Sequence, residues 1–151
     1  MIFIPEKDSG LIPQILTKVL DSCVNGVTLS DPDLEDMPLV YANKAFETVT
    51  GYSNEETVGR NCRFLQGTDH DQPELMQLRE AIKNRQEIGV TLRNYKKNGE
   101  LFYNHLEMTP LFDPHGNLLY YLGVQFDITN QIRAAEEIKS LTTRLNKLEN
   151  K

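Results

Sequence analysis

Apolar residues in the first part of the chain alternate between helical spacing and short continuous runs. Residues 11–23 carry apolar positions three and four residues apart, which predicts a helix with one apolar stripe. Two short apolar runs, residues 26–30 and 39–42, surround an Asp-Pro-Asp turn and predict a β-hairpin. Helical spacing returns over residues 45–49, directly after Asn43, a residue type that caps helix starts.

Two further helices are indicated by the residues at their starts. Ser53 followed by Glu56 has the spacing of a capping box, in which side chain and backbone bond reciprocally. Pro73 would occupy the first turn of a helix, where proline is favoured, and apolar residues follow at helical spacing over residues 75–82. Residues 1–10 show neither pattern and are expected to form a loose leader.

The last third of the chain predicts three strands and a final helix. The strands are expected at residues 88–95, 100–111 and 119–126, and Lys-Lys-Asn-Gly joins the first two as a hairpin. Asp127 or Thr129 is expected to cap the final helix. Two strands, several helices and three more strands predict an α+β fold, with a five-stranded antiparallel sheet and helices packed on one face.

Strand alternation places two amide side chains among apolar ones. If residues 97–99 form a three-residue loop that ends in a left-handed glycine, Asn94 pairs with Phe102 across the hairpin. Asn94 and Asn104 then lie on the same face of the sheet. A two-residue loop would place them on opposite faces.

Buried amides need partners, and for a single asparagine the usual partner is backbone in a turn. Two on one face, in mid-strand, favour a ligand, and Gln125 on the next strand adds a third amide. Gly123 would leave room there for a close approach. A flat heteroaromatic ring with an imide edge fits such a face, and Arg63 and Arg79 could hold a phosphate at its other end. The alternative for either arginine is a solvated surface charge.

Composition describes an ordinary soluble globular protein of one domain. The chain has 151 residues, of which 39% are hydrophobic and 25% charged. Its net charge of −6 argues against a nucleic-acid-binding surface. Cys23 and Cys62 have neither disulfide nor metal-site spacing, so a reducing, cytoplasmic setting is expected and no metal site. The sequence shows no membrane-spanning run and no signal peptide.

Residues 59–67, Gly-Arg-Asn-Cys-Arg-Phe-Leu-Gln-Gly, are the most informative segment. An ordinary core cysteine has apolar neighbours, because free cysteine packs like a small hydrophobe. Cys62 instead lies between Asn61 and Arg63, with Gln66 about one helical turn later. This combination suits a site that binds a polar, anionic ligand and presents a sulfur to it.

Together with three other motifs, this segment resembles the LOV (light-oxygen-voltage) domains, a blue-light-sensing branch of the PAS superfamily. The other motifs lie at residues 92–99, 102–104 and 123–129. The likeness is to bacterial members, either a short LOV protein or the sensor of a larger receptor. It implies a PAS fold with flanking helices, divided into an N-terminal extension and helix (residues 1–23), a flavin-binding domain (residues 24–129) and a C-terminal amphipathic helix (residues 130–151).

The resemblance also implies a cofactor, flavin mononucleotide (FMN), and a role for each motif residue. Cys62 would be the photoreactive thiol, which forms a reversible covalent adduct with the flavin C4a carbon under blue light. The implied cofactor contacts are Asn61 and Gln66 to the ribityl chain and ring, Arg63 and Arg79 to the phosphate, Asn94 and Asn104 to the pyrimidine edge, and Gln125 to the central ring, with Thr28, Leu65, Leu106 and Gly123 as pocket wall.

The third predicted strand and the final helix indicate how a signal would leave the domain. Leu122, Val124 and Phe126 make the outer face of that strand apolar, so a terminal helix or a second subunit is expected to cover it. The final helix carries apolar residues at heptad spacing, which favours a coiled coil and a homodimer over a helix packed on its own sheet. These heptad residues are Ala134, Ile138, Leu141, Leu145 and Leu148.

Three functions compete at this level. The first is a light-sensing flavin module, and the second is a PAS-type redox or dimerisation module without photochemistry; Cys62 favours the first. The third is a flavin enzyme, against which stands the lack of an evident substrate base or second cofactor site. His70, His105 and His115 fall in loop-like or outward positions and are expected at the surface. A sensor rather than an enzyme is therefore predicted, with an effector that the sequence does not identify.

Overall fold

The computed structural model of the protein describes residues 11–150, with side chains from residue 14 onward. The expected leader at residues 1–10 lies outside the described residues. The elements that follow alternate as the sequence predicts. They are α1 (Leu11–Asp21), β1 (Gly26–Ser30), β2 (Leu39–Ala42), α2 (Lys44–Thr50), α3 (Asn54–Thr57), a short 3₁₀ helix (Cys62–Gln66), α4 (Pro73–Lys83), β3 (Ile88–Tyr95), β4 (Leu101–Phe112), β5 (Leu118–Asp127) and α5 (Thr129–Glu149).

The five strands form one antiparallel sheet in the order β2-β1-β5-β4-β3. This confirms the α+β fold with a five-stranded antiparallel sheet, helices packed against it and a flanking helix at each end. The first strand lies beside the last, so the N-terminal hairpin and the C-terminal meander form a continuous sheet. Side chains of β1 are thereby brought against those of β5.

Asn43 connects three elements with a single buried side chain. Its Oδ1 accepts from the backbone N–H of Phe46 at 3.2 Å, which caps α2 as expected. The same oxygen accepts from Val27 N in β1 at 2.8 Å. Its Nδ2 donates to the carbonyl oxygens of Leu20 and Asn25, so the end of α1 is attached to the sheet at this point.

The predicted capping box is present, but neither Asp127 nor Thr129 is the N-cap residue of α5. Ser53 Oγ accepts from Glu56 N while the Glu56 carboxylate accepts from Ser53 N. The residue before α5 is Ile128, which has no side-chain cap. Thr129 Oγ1 instead accepts from Tyr103 N at 2.9 Å and donates to Asp127 Oδ1. Thr129 thus joins the helix start to β4, while Asp127 Oδ1 also accepts from Thr129 N, the first backbone N–H of α5, at 3.1 Å.

The apolar core has two parts, which lie toward opposite edges of the sheet on its inner face. One packs α4 against β3, β4 and β5, and the other packs α2 and the 3₁₀ helix against β2. The buried members of the first are Leu75, Val90, Leu92, Leu106, Met108 and Tyr121, and those of the second are Leu39, Ala42, Phe46 and Leu65.

The outer sheet face and α5 retain exposed apolar surface. Leu122, Val124 and Phe126 are half-buried on the outer face, as alternation predicts. Beyond its first turns α5 does not pack on the sheet, because its heptad residues from Ile138 to Leu148 are 54–67% exposed. None of the helices within residues 11–150 combines the length and apolar character that crossing a bilayer requires.

Candidate functional site

The cysteine segment forms the 3₁₀ helix because both of its ends are stabilised locally. Asn61 caps the start, where its Oδ1 accepts from Arg63 N at 2.9 Å, and Gly67 ends it with a φ of 56°. Cys62 is half-buried and packs against the second core cluster. Desolvation raises the pKa of its thiol to about 11, so at neutral pH the group is a thiol and not a thiolate.

A cavity of about 480 Å³ lies between the 3₁₀ helix, α4 and the inner sheet face. This is the size of a typical small-molecule site. It brings together eight of the twelve residues predicted for the site, which come from distant parts of the chain. These eight lining residues are Asn61, Cys62, Arg63, Gln66, Arg79, Asn94, Asn104 and Leu106.

The two asparagines lie side by side on the cavity wall. Asn94 pairs with Phe102 across the hairpin, which confirms the register that the three-residue loop predicts. Asn104 Nδ2 donates to Asn94 Oδ1 at 3.0 Å, and Asn94 Nδ2 donates to the carbonyl oxygen of Arg93. Both asparagines are 3% exposed or less. Asn104 Oδ1 is buried and has no donor within the described part of the chain.

Gln125 lies beside Thr28 on the neighbouring strands. Its Nε2 donates to Thr28 Oγ1 at 3.2 Å, while its Oε1 has no donor among the described residues. A Cβ at position 123 would come within 2.6 Å of Thr28 Oγ1 and 3.0 Å of Gln125 Nε2. The close approach expected at Gly123 is therefore that of two protein side chains. Glycine is required there so that the Thr28–Gln125 pair can form.

Four predicted residues are not among the cavity-lining side chains of the described chain: Gln125, Thr28, Gly123 and Leu65. The first three form the cluster just described, on β1 and β5. Leu65 is 1% exposed and belongs to the second core cluster, where it packs with residues of β2 and α2. Their predicted contacts with a cofactor stay predictions.

The two predicted phosphate ligands line the cavity in different states. Arg63 forms a two-point ion pair with Asp36, with Nη1 to Oδ2 at 2.6 Å and Nη2 to Oδ1 at 2.7 Å. Arg79 is exposed on α4 and makes no ion pair with any described residue. The cavity therefore has one unpaired guanidinium and one that a carboxylate already neutralises.

The segment between the 3₁₀ helix and α4 is held to β3 by a polar cluster that no sequence pattern indicates. Asp69 accepts from Arg93 through both carboxylate oxygens at 2.7 and 2.8 Å, and from Tyr95 OH at 2.7 Å. These bonds lower the pKa of Asp69 to about 2. Gln72 donates to the carbonyl oxygen of Asp69 and accepts from Arg93 N. His70, exposed as expected, lies between them and lines the cavity.

Sequence reasoning also missed the contribution of the segment between β1 and β2. Pro32, Leu34, Asp36 and Met37 line the cavity, although the sequence reads there only as a turn. Long-range contact is not visible in such a segment, because turn residues carry no periodicity. The described residues contain no group of histidine, cysteine, aspartate or glutamate side chains arranged to hold a metal ion.

The unpartnered polar atoms test whether a flavin fits this cavity. A buried carbonyl oxygen without a donor is costly, by about 1–3 kcal/mol. The imide edge of an isoalloxazine ring offers an N–H donor to Asn104 Oδ1 and carbonyl acceptors to amide N–H groups. Apolar walls from Leu92, Leu106 and Met108 suit the ring itself. The residues present fit the group.

The profile described as PAS domain matches residues 24–130 of this chain, which places it in that class of protein. A blue-light photoreceptor of Listeria monocytogenes is 38% identical over 134 residues, which are 89% of this chain and 53% of that protein. A solved LOV domain from a blue-light-activated histidine kinase of Erythrobacter litoralis is 45% identical with a TM-score of 0.66, covering 70% of this chain and 96% of that one. The chain belongs to the bacterial LOV branch of the PAS family.

A third similarity extends over nearly all of the chain. The solved structure of an RNA-binding light-oxygen-voltage receptor is 34% identical with a TM-score of 0.82, covering 95% of this chain and 40% of that one. The chain spans about half the length of the Listeria photoreceptors, and a smaller share of the other curated light-activated relatives. Activities of those longer proteins outside the matched region are therefore not attributed to it.

Proposed function

We propose that this chain is a blue-light sensor that binds FMN in the cavity and forms a reversible bond between the Cys62 sulfur and the flavin. The observation that carries the proposal is a protonated thiol on the wall of a cavity that also holds an unpartnered buried amide oxygen. The names of the relatives, which include blue-light photoreceptors, support the light-sensing part of the proposal.

The protonation state of Cys62 accounts for the absence of a reaction with the flavin in the dark. With a pKa of about 11 the thiol keeps its proton at neutral pH and is a poor nucleophile. A bound flavin would supply absorption of blue light and, once excited, a C4a carbon that accepts sulfur and an N5 nitrogen that accepts a proton. Cys62 carries both the sulfur and the proton, so the addition balances without an external acid or oxidant. Its reversal returns the proton to sulfur.

In this proposal, the polar residues of the cavity bind opposite ends of the cofactor. Asn94 and Asn104 would bind the pyrimidine edge, and Arg63 and Arg79 the phosphate. For the ribityl chain, Gln66 is the better placed amide, because its side chain has no hydrogen bond to any described residue.

Asn61 is already engaged in the structure. Its Oδ1 caps the 3₁₀ helix, and its Nδ2 donates to the carbonyl oxygens of Asp36 and Met37. A contact between Asn61 and the cofactor would need one of these bonds to be exchanged or shared.

The sensor is further proposed to work as a homodimer that signals through its terminal helices. The half-buried apolar outer face of the sheet and the exposed heptad residues of α5 support this, since each is apolar surface that a second copy would cover. The connection from β5 to α5 is short, because β5 ends at Asp127 and α5 begins at Thr129.

Absorption spectroscopy of the Cys62→Ala variant tests the photochemistry. The parent protein is expected to be yellow, to bleach under blue light and to recover in the dark. Cys62→Ala should keep the flavin and lose the bleaching, because the cavity is intact and the sulfur is gone. Cys23→Ala is the matched control and should behave as the parent, since Cys23 is exposed two residues after the end of α1.

Two results would contradict the proposal. A Cys62→Ala protein that still bleaches would show that another group reacts. A parent protein that holds flavin but never bleaches would leave the PAS-type module without photochemistry as the function.

A further inference from the structure

The segment between β1 and β2 directs one acidic side chain to the exposed rim of the cavity. Asp36 has a φ of 63° and Met37 a φ of 44°, a backbone conformation that is uncommon for residues other than glycine, although aspartate and asparagine tolerate it better than most. One constraint on this segment is Asn61, whose Nδ2 donates to the carbonyl oxygen of Asp36 at 2.7 Å. The cysteine segment thus helps to hold Asp36 in place through this bond.

The second constraint is the ion pair between Asp36 and Arg63. Both terminal nitrogens of the guanidinium bond to the carboxylate, at 2.6 and 2.7 Å, which is the geometry in which arginine also binds phosphate. The hydrogen bond from Arg63 holds the pKa of Asp36 below its usual value of 3.8, so the carboxylate is charged at neutral pH. The positive charge of Arg63 is neutralised before any cofactor arrives.

Arg79 provides the contrast within the same cavity. It lines the cavity from α4 and has no ion-pair partner among the described residues. A phosphate entering the cavity therefore meets one available guanidinium and one that an aspartate occupies. The two proposed phosphate ligands are not equivalent.

We propose that Asp36 occupies on Arg63 the position that the FMN phosphate takes, and that cofactor binding displaces it. The inference rests on the proposed function. Asp36 then acts as a specificity-determining residue that weakens FMN binding relative to riboflavin, which has no phosphate to compete. The bidentate contact is exposed, with side chains 54% and 59% accessible, so an incoming dianion can replace it without opening the core.

Competition between the two flavins tests this on the full chain. Parent and Asp36→Asn proteins are equilibrated with an equimolar mixture of FMN and riboflavin, and the bound flavins are then extracted and separated by chromatography. Asparagine has the shape of aspartate and adopts positive φ readily, so the backbone is preserved. The bound FMN-to-riboflavin ratio should rise about fivefold in Asp36→Asn, the factor that one unit charge at contact distance carries in water.

Glu35→Gln is the matched control. It removes the same charge one residue away, at an exposed side chain, and leaves the Asp36–Arg63 pair intact. Its ratio should stay within about twofold of the parent, because exposed charges farther from the phosphate are screened. A partly misfolded variant would bind less of both flavins, so the ratio still reports the phosphate site.

An unchanged ratio in Asp36→Asn would overturn the inference. A fall in the ratio would overturn it too, since Asp36 would then orient Arg63 toward the phosphate instead of competing with it. A parent protein that binds FMN and bleaches keeps the proposed function in either case. A parent that binds neither flavin would overturn the proposed function and this inference together.

Discussion

Two buried amide oxygens, Asn104 Oδ1 and Gln125 Oε1, have no hydrogen-bond donor in the part of the chain that is described. Asn104 lines the cavity, so the proposed ligand, which has an N–H group, would supply the donor that its oxygen lacks. Gln125 is not among the residues that line the cavity, and its Nε2 donates to Thr28 Oγ1. The Thr28 hydroxyl donates to the carbonyl oxygen of Gly123 at 3.5 Å, a long bond, and it would donate to Gln125 Oε1 if the amide reversed.

We expect the Gln125 amide to reverse when light protonates the N5 nitrogen of the bound flavin, because N5 then donates a hydrogen bond where it accepted one before. Gln125→Leu should leave bleaching intact and reduce the light-induced change in α5, because leucine cannot exchange donor for acceptor. Hydrogen exchange of the amides of residues 129–149, compared in dark and light, measures this change. Thr28→Val, which removes the partner and keeps Gln125, should alter the exchange less. Equal light responses in the parent and Gln125→Leu would exclude this route.

At the scale of elements, the cavity depends on how the segment before α4 is held. Asp69 fixes that segment to β3 through Arg93 and Tyr95. The positions of His70 and Gln72 depend on this attachment, and Gln72 adds its own bond to the carbonyl oxygen of Arg93. Segments without regular structure need such anchors, because they have few backbone hydrogen bonds of their own. The cluster holds the segment that carries His70, one of the residues that line the cavity.

The ionised Asp69 should therefore contribute to stability in a pH-dependent way. Its pKa in the folded protein is lowered from 3.8 to about 2, so its contribution is complete above pH 3.8 and is lost as the pH falls toward 2. Asp69→Asn should lower the free energy of unfolding at pH 7, and the difference from the parent should shrink over that range. Urea unfolding at several pH values measures it.

Asp71→Asn is the control for this prediction. Asp71 is exposed, and only its backbone carbonyl contacts Arg93. If Asp69→Asn and Asp71→Asn are equally stable at pH 7, the carboxylate of Asp69 does not anchor the segment.

At the scale of the whole molecule, α5 extends away from the sheet with its apolar seam uncovered. Leu141 and Leu145 are 54% and 56% exposed, although heptad spacing is typical of a buried interface. The outer sheet face is also apolar, and both surfaces lie at the same end of the chain. A second copy of the chain is the proposed partner for them.

Leu141→Glu should weaken this dimer by about tenfold or more, because each copy loses a buried leucine and gains a charge in the seam. Thr143→Glu adds the same charge at an exposed position on the side of the helix opposite the seam, and should have little effect. Sedimentation at several concentrations, in the dark and in blue light, measures both. A parent protein that is monomeric under both conditions, or two variants that dissociate equally, would contradict the dimer.

Local features of the sequence determined the helices and strands, and they also determined the cysteine motif and the pair of asparagines in the site. The capping box at Ser53, the Asn43 cap and the hairpin register that joins Asn94 to Asn104 all follow from residues close together in the chain. Such features are predictable because turn chemistry and strand alternation act over a few residues. The cysteine motif likewise brought Asn61 to Gln66 to one short helix.

Only the tertiary structure decided which distant residues meet. The strand order places β1 beside β5, so that Thr28 contacts Gln125, 97 residues later. Asp36 pairs with Arg63 across 27 residues, and Thr129 joins Tyr103 instead of capping α5. Charged and hydroxyl side chains have many possible partners and no periodicity, so their pairing depends on how the whole chain packs. That packing brings an aspartate to the proposed phosphate site.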